Sequence, residues 1–209
     1  MSHLLTAGIL QQARNLAGGK QYALSFDGVD DYVDCGNLSS TELLAKAEIY
    51  IYFPIDYIGE VGFAPIFSRD DDYVFWAGNF TSRISNETLL IRDGAGYTST
   101  FTTDLIVQGW HKIIVEWNGS NYEFYLDDNL MTMDSYNGHS SQMLLDKFFL
   151  ANRNTSSQFG DIKISYIRIT GDTGELLEYK IDTGTGNTLF DKSGNENHGT
   201  IYGATWIEI

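Results

Sequence analysis

The chain has 209 residues, 43% of them hydrophobic, and a formal net charge of −15 at pH 7. That length and hydrophobic content fit one domain with its own core, and so acidic a surface repels nucleic acid and anionic membranes, whose phosphates are held by Lys and Arg. Cys35 is the single cysteine, so no internal disulfide forms, and the four scattered histidines lack the cysteine companions of a zinc site.

Residues 2–17 carry a helical pattern. Ser2 is a suitable N-cap, Leu5, Ile9, Ala13 and Leu16 fall on one stripe, and Gly18-Gly19 ends it. A helix this short is marginal alone in water and needs a surface to dock on. That surface is either its own domain or a sister subunit or larger assembly, with Leu5, Ile9 and Leu16 as the docking residues. The first twenty residues also lack the basic start and long apolar run of a secretory signal. No apolar run reaches the length of a membrane span. The expectation is synthesis in a cytoplasm and use without export.

From residue 20 onward the periodicity is that of strands. Leu24 and Phe26 alternate, Asp27-Gly28 marks a turn, and alternation returns at Tyr32-Val33, which predicts a hairpin. Residues 43–46 suggest a helical turn. The stretch 47–53 then places Ile49, Ile51 and Phe53 on one face and Glu48, Tyr50 and Tyr52 on the other, until Pro54 ends it. Strands are expected at 64–68 and 72–77, joined by Asp70-Asp71-Asp72, and at 88–92 and 97–101, joined by Asp93-Gly94-Ala95-Gly96. The runs 109–117 and 121–129 flank Asn118-Gly119-Ser120, and Asn-Gly between alternating runs is the strongest short-range hairpin signal. Further strands are expected at 148–151, 159–169 and 175–181. A Ser193-Gly194-Asn195 turn then leads into one closing strand over 198–206. Strand signals at such regular intervals, with almost no helical periodicity after Ala17, predict an all-β, two-sheet antiparallel sandwich over 20–209 behind a helical segment over 1–19.

Several of these stretches resemble the laminin G-like, concanavalin A-like jelly rolls. The resemblance lies in the opening run from Leu24 through Asp27-Gly28 to Val33 and in the Glu48 strand. It continues in Trp110-His111 with the later Tyr125-Leu126-Asp127-Asp128, in Phe159-Gly160 with Ile167-Arg168-Ile169, and in the closing run from Asp191 to Trp206. Tyr50 stands where such domains usually have tryptophan, and Asp128 where they usually have glycine. The spacing between Phe159 and the Ile167 strand is longer by about two residues, which a bulge would absorb. The resemblance implies a jelly roll. It implies less about function, because the fold hosts lectins, adhesion modules, viral spike parts and polysaccharide-cleaving enzymes. Together with the acidic, cysteine-poor composition and the helical extension, it implies a bacteriophage virion protein on a tail or capsid surface. Such a protein either contacts host-surface glycans or decorates the particle without a ligand. The expected partners are copies of itself or other virion proteins, with no nucleic acid and no membrane.

Endoglucanases of the laminarinase and lichenase type place Glu-x-Asp-x-x-Glu along one strand, so that alternation points the carboxylates into the groove. Here only Glu48 remains, with tyrosines at the other positions, and the Arg-x-Glu-Leu-Arg and Gln-Ile-His marks of alginate lyases are absent. No catalytic residue is therefore expected, and a non-catalytic binding module is favoured over a polysaccharide-cleaving enzyme with an unfamiliar site. Glu48, Tyr50 and Tyr52 are the glycan candidates, since an aromatic plane covers the apolar face of a pyranose and a carboxylate takes a hydroxyl. Both residue types also belong on an ordinary half-buried strand. Domains of this kind often hold calcium at a rim, and Asp27, Asp30 and Asp31, with Asp191 and Asn195, offer hard oxygen ligands if the end strands pair. The same residues are good turn formers. Trp110, Trp117 and Trp206 are expected as core anchors, and His198 as a turn residue.

Overall fold

The computed structural model describes residues 20–53, 63–69, 73–78, 87–93, 98–103, 108–131, 133–136, 142–151 and 161–209. The segment expected to form an N-terminal helix, with Leu5, Ile9 and Leu16, and the expected acidic turn Asp70-Asp71-Asp72 lie outside the described residues. In chain order the strands are β1 (Tyr22–Asp27), β2 (Tyr32–Asp34), β3 (Leu44–Phe53), β4 (Phe63–Arg69), β5 (Tyr73–Gly78), β6 (Glu87–Asp93), β7 (Thr98–Thr103), β8 (Gly109–Trp117) and β9 (Tyr122–Leu126). There follow β10 (Asn129–Leu130), β11 (Met133–Tyr136), β12 (Phe149–Leu150), β13 (Asp161–Gly171), β14 (Glu175–Lys180), β15 (Thr188–Leu189), β16 (Gly199–Tyr202) and β17 (Thr205–Glu208).

They form two antiparallel sheets. An eight-stranded sheet runs β10-β9-β8-β3-β13-β1-β17, with β14 also on β13, and a nine-stranded sheet runs β11-β7-β6-β5-β4-β12-β2-β16-β15. The fold is an all-β, two-sheet jelly-roll sandwich of the concanavalin A-like kind. Strand β13 is its spine: one edge pairs with β3, while the other is shared between β1 at Asp161–Ile164 and β14 at Tyr166–Thr170. The register shifts between Ile164 and Tyr166, so two outward residues, Ser165 and Tyr166, stand in succession before Ile167 turns back into the core. This register shift is a β-bulge in β13.

Alternation supplies the core. Ile49, Ile51, Ile113, Val115, Phe124, Ile162, Ile164 and Ile167 line the inner face of the eight-stranded sheet, and Phe67, Phe148, Leu150 and Val33 meet them from the other side. Truncating one such residue, Ile51 for example, costs about 2–5 kcal/mol through lost transfer energy and the cavity left behind. Several buried polar side chains are paired. Tyr179 donates from its hydroxyl to the Asn197 carbonyl at 2.7 Å, Tyr122 to the Leu44 carbonyl at 3.0 Å, and His111 Nδ1 lies 2.9 Å from Asp127 Oδ2.

Three local expectations need correction. Strands β1 and β2 do not form a hairpin: β1 pairs with β13 and β17, β2 with β12 and β16, and the turn between them carries the chain from one sheet to the other. The closing run is likewise two strands, broken at Gly203, whose φ is +74°. Residues 44–46 are extended at the start of β3, where the Leu44 amide donates to the Met143 carbonyl at 2.8 Å. Alternation shows which side chains face inward but not which sheet supplies the partner. The chain ends do meet, with Leu24 opposite Trp206 in one sheet and Val33 opposite Ile201 in the other.

Candidate functional site

The outer face of the eight-stranded sheet is built by β3, β8 and β13. Pairing places Tyr50 between Lys112 and Tyr166, Tyr52 between Trp110 and Lys163, and Glu48 between Ile114 and Arg168. The three residues singled out on β3 thus share one face with six neighbours from β8 and β13. Tyr50 meets Tyr166 edge to face at a centroid distance of 5.6 Å, and Tyr52 meets Trp110 in the same manner at 5.6 Å. All four rings are half-buried. Trp110 is therefore no core anchor, because alternation in β8 puts it on the side of Lys112 while His111 and Ile113 turn inward. Trp117 and Trp206 do pack against the core.

Charge on this face is ordered in pairs. Lys112 Nζ lies 2.8 Å from Asp128 Oδ1 and 3.8 Å from Glu48 Oε1. Burial works against the charge of Lys112, but the Asp128 hydrogen bond and the Glu48 carboxylate outweigh it and raise its pKa. Glu178 accepts from Tyr166 at 3.0 Å and from Arg168 at 2.7 Å, and Lys180 is 3.3 Å away. Burial opposes ionisation of Glu178, yet these donors prevail and hold its pKa below the ordinary carboxylate value. Burial raises Tyr50, and burial together with the hydrogen bond to Glu178 raises Tyr166, so both phenols stay neutral. Arg168 Nε has no hydrogen bond of good geometry, although Glu175 Oε2 is 3.1 Å from it; at that distance the contact acts as an ion pair.

A second cluster occupies the corner between β1 and β2. Oxygens of Asp27, Asp30 and Asp31 lie within 4.8 Å of one another. Asp27 Oδ1 accepts from the Val29 amide at 2.8 Å, and Asp31 Oδ2 from the Asp27 amide at 2.9 Å. Burial raises the pKa of Asp31, and the charges of Asp27 and Asp30 push the same way. Three carboxylates so placed are the hard-oxygen set that suits calcium, and a cation there would relieve their mutual repulsion.

Asp191 does not join that group. Its two oxygens accept from the amides of Glu178 (2.9 Å), Ser193 (2.9 Å) and Asn197 (3.1 Å) and from the Ser193 hydroxyl (2.7 Å). Asn195 Nδ2 donates to the Glu175 carbonyl at 2.8 Å, and His198 Nδ1 accepts from the Asp191 amide at 3.2 Å. These residues tie the closing loop to β14.

Comparison with family models and with curated proteins gave no match. Among solved structures the chain is similar to a protein of Bacteroides ovatus ATCC 8483 named as a candidate carbohydrate binder. The identity is 14%, the TM-score 0.62, and the match covers 91% of this chain and 60% of that one. It is also similar to the heptameric SAP-like pentraxin of Limulus polyphemus, at 10% identity and a TM-score of 0.52, covering 91% of this chain and 92% of that one. Domains LG4-5 of the mouse laminin α1 chain match at 12% identity and a TM-score of 0.49, covering 77% of this chain and 45% of that one. At such identities the likeness to the first two is one of fold, and it agrees with the jelly-roll sandwich described above.

Proposed function

We propose that the chain is a non-catalytic binding module that takes a glycan on the outer face of its eight-stranded sheet. The observation that carries this reading is the strip of half-buried rings, Tyr50, Tyr52, Trp110 and Tyr166, flanked by Glu48, Lys112 and Arg168. Sugars offer apolar C–H faces to such rings and hydroxyls to such ions. The naming of the Bacteroides ovatus protein as a candidate carbohydrate binder points the same way. A hydrolytic reading has less support. Glu48 and Glu178 stand roughly 10 Å apart, two strand spacings across the sheet with Arg168 between them. The depressed pKa of Glu178 leaves it without a proton to donate at neutral pH. A glycan array probed with the full chain tests the proposal. Binding should weaken about tenfold in Tyr52→Ala or Trp110→Ala, with the fold retained by circular dichroism. Absence of binding to any glycan would favour a purely structural decoration protein.

The same proposal places the module on a bacteriophage tail or capsid surface, docked through Leu5, Ile9 and Leu16, and its support is the apolar stripe in the sequence. Deleting residues 1–19 should abolish incorporation into particles while leaving the melting temperature of the sandwich unchanged. Normal incorporation of the shortened chain sinks the docking role. Calcium at Asp27, Asp30 and Asp31 belongs to the proposal as a structural ion. Millimolar calcium should raise Tm in the parent and not in Asp30→Asn, and equal curves with calcium and with chelator exclude it.

A further inference from the structure

The aromatic face carries many cations for so acidic a chain. Lys46, Lys112, Lys163, Arg168 and Lys180 project from it, and the whole sequence has 13 Lys and Arg. Four of the five are engaged. Lys46 pairs with Glu116 at 3.5 Å, Lys112 with Asp128 at 2.8 Å, and both Arg168 and Lys180 with Glu178 at 2.7 and 3.3 Å. Lys163 differs. No carboxylate among the described residues is in ion-pair contact with it, and its ammonium rests 4.4 Å from the centroid of the Tyr52 ring. Trp110, Tyr52, Lys163, Ser25 and Thr205 stand directly opposite one another along a row across five strands, β8, β3, β13, β1 and β17. Lys163 is thus set between two aromatic rings on one side and two hydroxyls on the other. The nearest acids on its own face of β13 and β1, Asp161 and Asp27, are one strand repeat away, roughly 7 Å along the chain.

A half-exposed ammonium over a phenol is a loosely held charge, and it covers the ring surface on which a sugar would stack. A neutral sugar taking that surface displaces the ammonium and returns only water to it. A sugar bearing a carboxylate displaces it and then receives a charge-assisted hydrogen bond from it. The nearby Asp161 and Asp27, and the net charge of −15, act against a densely charged polyanion but tolerate single, spaced carboxylates. We propose that the glycan bound on this face is an acidic one, whose carboxylate draws Lys163 off the Tyr52 ring while its sugar ring takes that surface. This inference rests on the reading of the face as a glycan platform.

Matched probes separate charge from shape. The full chain is titrated with a panel of uronic-acid oligosaccharides, among them oligogalacturonate and hyaluronan fragments. Each is paired with its carboxyl-reduced counterpart of identical linkage. The acidic member should bind about three- to tenfold tighter at low salt, with the gap closing as ionic strength rises. Lys163→Gln should erase the gap and leave affinity for the neutral member equal or better, whereas Lys163→Arg should preserve it. Melting temperatures near that of the parent confirm that both variants fold. If the parent binds both members equally, or if Lys163→Gln keeps the gap, the inference is overturned while the platform reading stands. If neither member of any pair binds while the array shows another glycan bound, the inference falls and the platform reading stands; if the array too is blank, both fall.

Discussion

Gly203 marks the point where the chain leaves the nine-stranded sheet at the end of β16 and enters the eight-stranded sheet at β17. Its φ of +74° is one that L side chains avoid, and a Cβ placed there would fall 2.0 Å from Asp31 Oδ1. Asp31 is buried and cannot retreat freely, since its other oxygen holds the Asp27 amide. Gly203→Ala combines a positive-φ penalty of about 1–2 kcal/mol with displacement of a buried carboxylate. The expected loss is about 2–4 kcal/mol, seen as a lower urea midpoint at unchanged m-value. An unchanged midpoint would mean that the corner is not packed as described. Gly28, at the matching crossover of the opening run, has φ +76° and would bring its Cβ within 3.1 Å of Asp161 Cβ. The two sheet-crossing corners therefore depend on glycine for the same two reasons.

At the level of elements, one carboxylate gathers the closing loop onto β14, beside the Asn195 and Asn197 side-chain amides that donate to the Glu175 and Leu176 carbonyls. Asp191 accepts four hydrogen bonds, and an amide in its place would point an N–H at one or more of those donors. Asp191→Asn is expected to cost about 2–3 kcal/mol, the usual range for a hydrogen-bonded charged group, and the measurement is equilibrium unfolding at pH 7. The pH dependence has a definite sign. Burial raises the pKa of Asp191 and of Glu178, but the donors around each outweigh it, so both end below their ordinary values. Arg69 beside Asp146 lowers that carboxyl as well. A carboxyl depressed in the folded state contributes stability above its unfolded pKa and loses it as pH falls through the folded value. Tm should therefore hold above about pH 5 and fall steeply below about pH 4. Asp31, raised chiefly by burial, works in the opposite direction. Asp191→Asn should show a shallower acid limb than the parent, and parallel limbs would contradict this role for the carboxylate.

The elements also show why the sequence reading reached as far as it did. Strand β3 and the β8–β9 hairpin were legible because clean alternation is punctuated by Asn118-Gly119, and the facing of Glu48, Tyr50 and Tyr52 followed from parity alone. Parity in β8 and β13 also puts Trp110 and Lys163 on an outer face, but their meeting with Tyr52 depends on which strands lie side by side, and that pairing is not local. Tyr166 and Arg168 were hidden for a different reason. The bulge after Ile164 inserts one residue, and a slip of one reverses the facing of everything beyond it. Asp191 reads as a metal ligand or as a turn residue with equal ease, and only the arrival of the Glu178 amide from β14 decides what its oxygens hold.

For the molecule as a whole, Cys35 reports on whether the two sheets separate. It follows β2 directly, is 3% exposed, and its amide donates to the Phe148 carbonyl at 2.9 Å. Burial raises the pKa of its thiol, which keeps the reactive thiolate scarce. Modification by a thiol reagent in native buffer should run at less than about a thousandth of the rate in denaturant, because β2 is paired on both edges and the thiol is reached only when the sandwich opens. Rapid labelling of the native protein would instead reveal a local opening at β2.

The joint passage of both end segments from sheet to sheet has an architectural consequence. The Ile209 amide donates to the Gln21 carbonyl at 3.0 Å, and Lys20 pairs with Glu208 at 2.8 Å. The sandwich is entered and left through a single doorway, much as a pendant hangs from one link. A polypeptide that hosts it can accept residues 20–209 within a surface loop without parting the two sides of that loop. Rejoining 209 to 20 through a short linker, and cutting the chain at Asn118-Gly119 instead, should return the same pair of sheets.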